Sequence, residues 1–503
     1  MSKLLWGGRI PSVKEDVVKF TSSIKSDQKL LKAVIAINQA HVIMLMEQKI
    51  IQWAEGVKLL QALNKLTPEM TLDPSLEDVH MVVEEKILET CGPEVGGNLH
   101  IAKSRNDQVA TAIRMELREN LLNVMSRIVE LQEALIKLAE GHLKTLFPGY
   151  THMQLAQPVT FAHYLLSYID CFERDFQRLG ESYARVNLSP MGAGALATSS
   201  FPINRERVAE LLGFSGLIEN SIDAVSSRDF ALETMAVLAL TAVDISRLVE
   251  DLILFGSSDF GLIELPDDFC STSSIMPQKK NPDVLEVIRA RMSQILGNFT
   301  TSAATIKALP FGYNLDFQEI TPRLWESLEI VESSLDMLSK LAPNLKVHED
   351  ALAKPQFSFL AATELANILV RKYKVPFRSA HKIVGSTVRE LISKGLTLNN
   401  VTPELVNRVA GSFGFALNVK TEDLREAVDL QKIVESHNVV GGPSPKEVAR
   451  MLKIRKEQSL LAKSEVAKRK LELEKAYEQM QSIIKSYLTS SNSAPQALKS
   501  PKS

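Results

Sequence analysis

Residues 113–140 carry apolar side chains at Leu117, Leu121, Val124, Ile128, Leu131, Leu135 and Leu138, spaced 4,3,4,3,4,3. A helix aligns that spacing into one lengthwise seam, and a seam must be covered by other helices packed along it. Four further stretches read as long helices: 160–186, opening just after Pro158; 228–255, with Leu238, Ile245, Leu248, Leu252 and Phe255 on one face; 283–308, bounded by Pro282 and Pro310; and 323–341. Period-2 alternation is scarce, so the expected fold class is all-α. The five long helices should form a central bundle in which antiparallel neighbours need only short loops.

At 503 residues the chain is too long for one ordinary core. We expect an N-terminal helical domain over 1–104, a long-helix bundle over 105–355 and a small helical domain over 356–455. A charged helical extension with a disordered tail should follow over 456–503. The 58 Lys and Arg against 60 Asp and Glu give a net charge of −2, so no global field favours nucleic acid or an anionic membrane. Cys91, Cys171 and Cys270 are odd in number, far apart and in no C-x-x-C, which speaks against disulfides and zinc and suits a reducing cytosol. The start has no long apolar segment of the secretory kind. The most apolar run, "MAVLALTAV" at 235–243, is soon interrupted by Asp244 and Arg247, so no membrane span is expected.

Four polar segments rich in Gly and Pro lie between the helices: 96–108, 149–158, 257–282 and 310–322. Segments of this kind at the ends of a bundle are where function concentrates. In "STSSIMPQKKNP" (271–282) hydroxyls, Lys279, Lys280, Asn281 and a helix start combine into a receptor for carboxylate. A neutral serine is a poor base, and it could act as one only if cations and backbone N–H groups stabilised its alkoxide. Each part of the string also fits a solvated turn. His152, beside Thr151 and Gln154, can serve either as a structural hydrogen-bonder or as a general acid or base. Glu286, in the first turn of the helix after Pro282, suits the helix dipole and could raise the basicity of a histidine. In "SRNDQ" (104–108), Ser104 and Asp107 have capping-box spacing, while Arg105 and Asn106 could hold a carboxylate; both readings can hold together. There is no G-x-S-x-G, P-loop, H-E-x-x-H or C-x-x-C motif. The glycines of "SPMGAGALATSS" (189–200) follow no strand and fit a tight bend. The chemistry suggested is acid–base work on a carboxylate-rich small molecule, with no cofactor and no metal.

The segment "SSIMPQKKNP" resembles the signature of the fumarase/aspartase superfamily. Within it, "QKKNPD", "SRNDQVAT", "GYTHMQLAQP" and the opening "LWGGR" are similar to the argininosuccinate lyase family, in matching order from residue 4 to about 450. The resemblance implies three mostly helical domains and a homotetramer with a core of about 20 helices. Its active sites would each be built from several chains. The implied reaction is reversible β-elimination of argininosuccinate to arginine and fumarate, in arginine biosynthesis, without cofactor, nucleic acid or membrane, in the cytoplasm. By position, Ser273 would be the carbon-proton base, and Lys279 and Asn281 would hold the substrate and its charged intermediate. His152 would transfer the proton on the leaving-group side, with Glu286 from a neighbouring chain raising its basicity. Ser104, Arg105, Asn106 and Thr151 would bind carboxylates, and Tyr313 and Gln318 would line the site. Arg228 would face the fumarate moiety, and Ser23 and Asp27 would bind the arginine part.

Three features depart from the pattern. Thr321 stands where relatives place a lysine, with Arg323 nearby; Lys103 replaces an arginine; and the chain beyond about 455 is longer than in many relatives. A sister lyase acting on adenylosuccinate, or a non-catalytic crystallin-like protein of the same fold, are the competing readings.

Overall fold

The computed structural model describes Arg9 and residues 13–489. All of the "LWGGR" motif except Arg9, and the tail after Thr489, lie outside the described residues.

The long helices are α1 (Leu31–Glu47), α2 (Val79–Gly96), α3 (Arg105–Gly141), α4 (Phe161–Val186), α5 (Asp229–Phe255), α6 (Asp283–Ile306), α7 (Thr321–Leu341) and α8 (Pro445–Thr489). The bundle is built on α3, against which α4, α7 and α8 pack, while α5 packs on α4, α6 and α7. Every seam residue of α3 is buried, with Leu117, Leu121, Val124, Ile128 and Leu131 at 0% exposure. The expected helices 160–186, 228–255, 283–308 and 323–341 match α4, α5, α6 and α7 to within two residues at each end.

The longest strand pairing among the described residues was not expected. Residues Leu146–Thr151 and Gln154–Thr160 form an antiparallel hairpin, β1–β2, ahead of α4. Its register slips between Pro148 and Tyr150, so Gly149 sits at a bulge where an added Cβ would lie 2.7 Å from the Gln157 carbonyl oxygen. Phe147 and Tyr150 pin the hairpin to Phe255 of α5, with ring centroids 5.1 Å and 6.2 Å away.

The segment Ile24–Glu47, which contains α1, is long and apolar enough to cross a membrane by composition, contrary to the reading that placed the most apolar run at 235–243. Of its most apolar window 89% is buried inside the protein, so its hydrophobicity is spent on the core. Residues between Ala361 and Ile433 form a second, separate cluster of buried side chains.

The charged helix α8 is less solvated than its composition suggests. Val448, Met451, Leu452, Ala462, Val466, Met480 and Ile484 join the main core. Its charged face reaches back to the bundle: Arg455 forks onto Asp170 at 2.8 and 3.0 Å, and Lys463 meets Glu133 at 2.9 Å. Lys and Arg stems cover apolar surface while their heads pair at the rim.

The seam of α3 should therefore dominate stability. Leu131→Ala is expected to cost about 2–5 kcal/mol, whereas Lys463→Ala, which loses an exposed ion pair, should cost about 1 kcal/mol or less. Chemical denaturation of the two variants checks the contrast.

Candidate active site

The start of α3 organises the site. Ser104 Oγ accepts the Asn106 N–H at 3.3 Å, and Asp107 Oδ1 accepts the Ser104 N–H at 2.9 Å, closing the capping box expected from the sequence. The other oxygen of Asp107 accepts the N–H groups of Gly192 (3.1 Å) and Gly194 (2.9 Å). Both glycines have positive φ, +83° and +62°, and a Cβ at Gly194 would lie 2.7 Å from the Thr198 carbonyl oxygen. Asn106 Nδ2 donates to the Ala195 carbonyl at 3.0 Å, so the 189–200 bend is clamped over the helix start. Arg105 spans to the start of α2, with Nε 3.0 Å from Asp78 and Nη1 3.2 Å from Glu77.

Beside this turn lies a cavity of about 410 Å³, lined by Ser104, Arg105, Asn106, Tyr313 and Gln318 together with a polar group from α1, α2 and the α2–α3 connection. That group is Asn38, His80, Glu84, His100 and Lys103, of which the sequence reading had singled out only Lys103, as a departure. Lys103 Nζ donates to the side-chain oxygen of Asn38, and His100 Nδ1 lies 3.8 Å from Glu84. Burial dominates the electrostatics: Glu84 is pushed up to about 7, Lys103 down to about 8, and His80 and His100 each down to about 4, leaving both imidazoles neutral near pH 7. His80 and Glu84 are spaced i, i+4 behind the capping Asp78, a signal visible in "EDVHMVVEE".

Tyr313 and Gln318 also wall a second, small cavity of about 20 Å³, shared with Ser23, Asp27, Arg228 and Thr321. Ser23 Oγ donates to Asp27 Oδ2 at 2.7 Å, and the Val79 N–H donates to the same oxygen at 3.3 Å. Burial pushes the Asp27 carboxyl up to about 6 despite these donors. Thr321 Oγ1 donates to the Phe317 carbonyl at 3.3 Å, so its hydroxyl proton is committed to the helix. Arg323 lines neither cavity; its guanidinium donates to the Glu319 carbonyl oxygen and does not take the place of the missing lysine.

The remaining expected residues stand elsewhere on the chain. Thr151 and His152 are exposed at the tip of the β1–β2 hairpin, where Thr151 pairs with Gln154 across a two-residue turn. His152 and Met153 fill that turn with φ of +54° and +57° and no glycine. Left-handed backbone at non-glycine residues costs about 1–3 kcal/mol each and is characteristic of functional positions.

The third group is a closed loop between β3 (Ser271–Thr272) and β4 (Lys280–Asn281). Its Ser273 Oγ accepts the N–H groups of Ile275 at 3.3 Å and Met276 at 3.1 Å. Its own N–H donates to the Lys279 carbonyl at 3.2 Å. Lys280 is spent on structure, pairing with Asp267 at 2.5 Å and Glu264 at 3.3 Å. Lys279 is exposed and makes no ion pair among the described residues. Asn281 Nδ2 reaches Ser271 Oγ at 3.5 Å, and Glu286 is exposed in the first turn of α6. The chain thus gathers eight expected residues — Ser23, Asp27, Ser104, Arg105, Asn106, Arg228, Tyr313 and Gln318 — around two adjoining cavities. It leaves Thr151, His152, Ser273, Lys279, Asn281 and Glu286 outside both cavities, on the hairpin tip, the closed loop and the start of α6.

Comparison with known proteins gives the family. The family described as "Lyase" matches residues 14–297, and that described as "Argininosuccinate lyase C-terminal" matches 359–435. Argininosuccinate lyase of Methanocaldococcus jannaschii is 45% identical over 454 residues, covering 89% of this chain and 92% of its own. This chain belongs to the argininosuccinate lyase family. The Methanosarcina mazei argininosuccinate lyase, 40% identical, spans 97% of this chain and 99% of its own, so that relative matches nearly the whole length, α8 included. Among solved structures, EDDS lyase in complex with formate superposes with a TM-score of 0.86 at 30% identity, covering 92% of each chain. The class II fumarase of Schistosoma mansoni, at 16% identity and a TM-score of 0.71, shares the fold over 85% of this chain and 96% of its own.

Asp27 supplies a stability test of the site. Its carboxyl titrates at about 6 in the folded chain against an ordinary 3.8, so the folded state holds a proton that the unfolded state has lost. The fold is therefore destabilised as pH rises from about 4 through 6, by at most about 3 kcal/mol at 1.36 kcal/mol per unit. Asp27→Asn should match the native chain at pH 4 and unfold at a higher temperature than it at pH 7, as read by thermal melts without ligand.

Proposed function

We propose that the protein cleaves argininosuccinate to arginine and fumarate, and that it runs the reverse condensation. The observation carrying this reading is the pair of N–H donors on Ser273 Oγ, in the same loop as Lys279, which makes no ion pair among the described residues, in a chain of this family. Two N–H donors and a nearby ammonium stabilise an alkoxide more than a hydroxyl, which is what a serine base requires.

Ser273 as alkoxide takes the proton from the carbon beside one succinyl carboxylate. The electron pair left on carbon is drawn into that carboxylate, which becomes a doubly charged aci form. The C–N bond then breaks, its electrons leave with the guanidino nitrogen, and that nitrogen takes a proton from His152. Lys279, Asn281 and Thr151 hold the carboxylate where charge accumulates, and each such preorganised donor is worth about 3–4 kcal/mol. Ser104, Arg105 and Asn106 grip the other dicarboxylate contacts. Glu286 of a neighbouring copy faces His152 and raises its basicity.

The three separate groups become one site when copies of the chain assemble as a homotetramer. Leu240 and Val243 of α5 and Val287 and Leu296 of α6 are exposed at 50, 43, 47 and 43%, an apolar bundle face that supports such packing. The domain boundary at about residue 355 is supported by the separate core within 361–433, while residue 455 falls within the continuous helix α8. The reaction belongs to arginine synthesis and takes place in the cytoplasm.

Incubating the protein with argininosuccinate and following the ultraviolet absorbance of fumarate tests the reading directly. Ser273→Ala and His152→Asn should each lower turnover by about 10²–10⁴-fold while the assembly mass, measured by light scattering, stays unchanged. Near-native turnover in either variant removes that residue from its role, and no fumarate from the native chain removes the proposal.

A further inference from the structure

A cavity of about 430 Å³ lies between α1, α3 and α8 and shares no lining residue with the two cavities of the candidate active site. Ala33 and Ala36 of α1, Met115 and Leu122 of α3, and Leu473 and Met480 of α8 give it apolar walls. A cavity of this size, with apolar walls and a few polar groups, is the form that small-molecule sites take. Because α8 supplies one wall, the cavity exists only where the chain continues well past residue 455.

Six charged side chains reach this space, and the three cations among them are already held. Lys32 Nζ pairs with Glu119 at 3.0 Å. Lys470 Nζ donates to Asn123 Oδ1 and Ser126 Oγ, both at 3.1 Å. Arg118 gives Nη1 to Asn187 Oδ1 at 2.9 Å and the Gly213 carbonyl at 3.1 Å, and Nη2 to the Leu212 carbonyl at 2.6 Å. Its idle Nε is buried and offers the cavity no surface.

Two carboxylates are left without a cation. Glu116, half-buried on α3, accepts the Asn120 side-chain amide at 2.8 Å and makes no ion pair among the described residues. Lys29 and Lys32 lie near enough to favour its charge, but they pair with Glu329 and Glu119. Burial outweighs them and pushes the Glu116 carboxyl above its ordinary range. Glu474, on α8, makes neither an ion pair nor a hydrogen bond among the described residues. What the cavity lacks is positive charge with N–H donors, at two points on different helices and beside apolar walls.

We propose that this cavity is a binding site for an aliphatic diamine, with one ammonium on Glu116, the other on Glu474 and the methylene stem against Leu122, Leu473 and Met480. Two ammonium groups answer the two unpaired carboxylates, and a stem without polar atoms leaves nothing unsatisfied against the walls. An occupant touches α1, α3 and α8 together, so it fastens α8 to the bundle and favours the folded chain. The site is independent of the reaction proposed above.

The test uses the full-length assembled protein and three probes with the same six-carbon chain: 1,6-diaminohexane, 1-aminohexane and hexanoate. Calorimetry at fixed ionic strength should find the diamine bound about tenfold more tightly than the monoamine, the worth of one charge-assisted contact, and hexanoate not bound. The diamine should also raise the melting temperature of the native protein. In Glu116→Gln the diamine should weaken to the level of the monoamine. In Ala36→Leu, which fills the floor, both amines should weaken. Failure of the native protein to bind the diamine, equal affinity for diamine and monoamine, or tighter binding of hexanoate overturns the proposal. So does a preference for the diamine that survives in Glu116→Gln. Should that variant fail to fold, the comparison of the three probes on the native protein still decides.

Discussion

The Asp107 carboxylate joins two parts of the chain that sequence keeps apart, the start of α3 and the 189–200 bend. One oxygen caps the N-terminus of α3, and the other receives two N–H groups from the 189–200 bend. Asp107 is fully buried at 0% exposure, and burial pushes its carboxyl up to about 6 even with those donors. The carboxylate meets the positive end of a 37-residue helix whose far side carries the bundle seam. The turn bearing Ser104, Arg105 and Asn106 is consequently set by the same carboxylate that anchors the helix on which the bundle is built.

Around that anchor the protein accumulates charge it does not neutralise. Asp27, Glu84, Lys103 and Arg228 are all buried, and each is pushed toward its neutral form by desolvation. A site of this kind is less stable than an apolar one of the same shape. The return is preorganisation: donors and acceptors already stand around the two cavities, with little reorganisation left to make. The hairpin tip at His152 and the loop at Ser273 follow the opposite strategy, since both are exposed and shaped by backbone geometry, not burial.

The helices were legible because their signal is periodic and local. The 4,3 spacing of α3, the prolines flanking α6 and the capping box at Ser104 each depend on residues within a few turns of one another. The hairpin at 146–160 was not legible: its prolines and glycine mask the alternation, and its turn uses His and Met where glycine or asparagine would announce it. That backbone N–H groups should reach Ser273 was legible in the sequence, and the loop supplies them from Ile275 and Met276. Arg323 could not be judged from its place two residues after Thr321, because the twist of α7 turns it away from the cavity that Thr321 lines.

The sequence by itself determined the helical class, the positions of the long helices and the family to which the motifs belong, because each is written in short-range spacing or in unbroken strings. Tertiary structure alone decided that Arg228 shares a cavity with Asp27 and Ser23, residues some 200 positions earlier in the chain. It also decided that His80, Glu84 and Lys103 converge and that α8 closes onto the bundle. Burial and charge balance are properties of what lies across a space. Only the packed chain brings those opposite walls together.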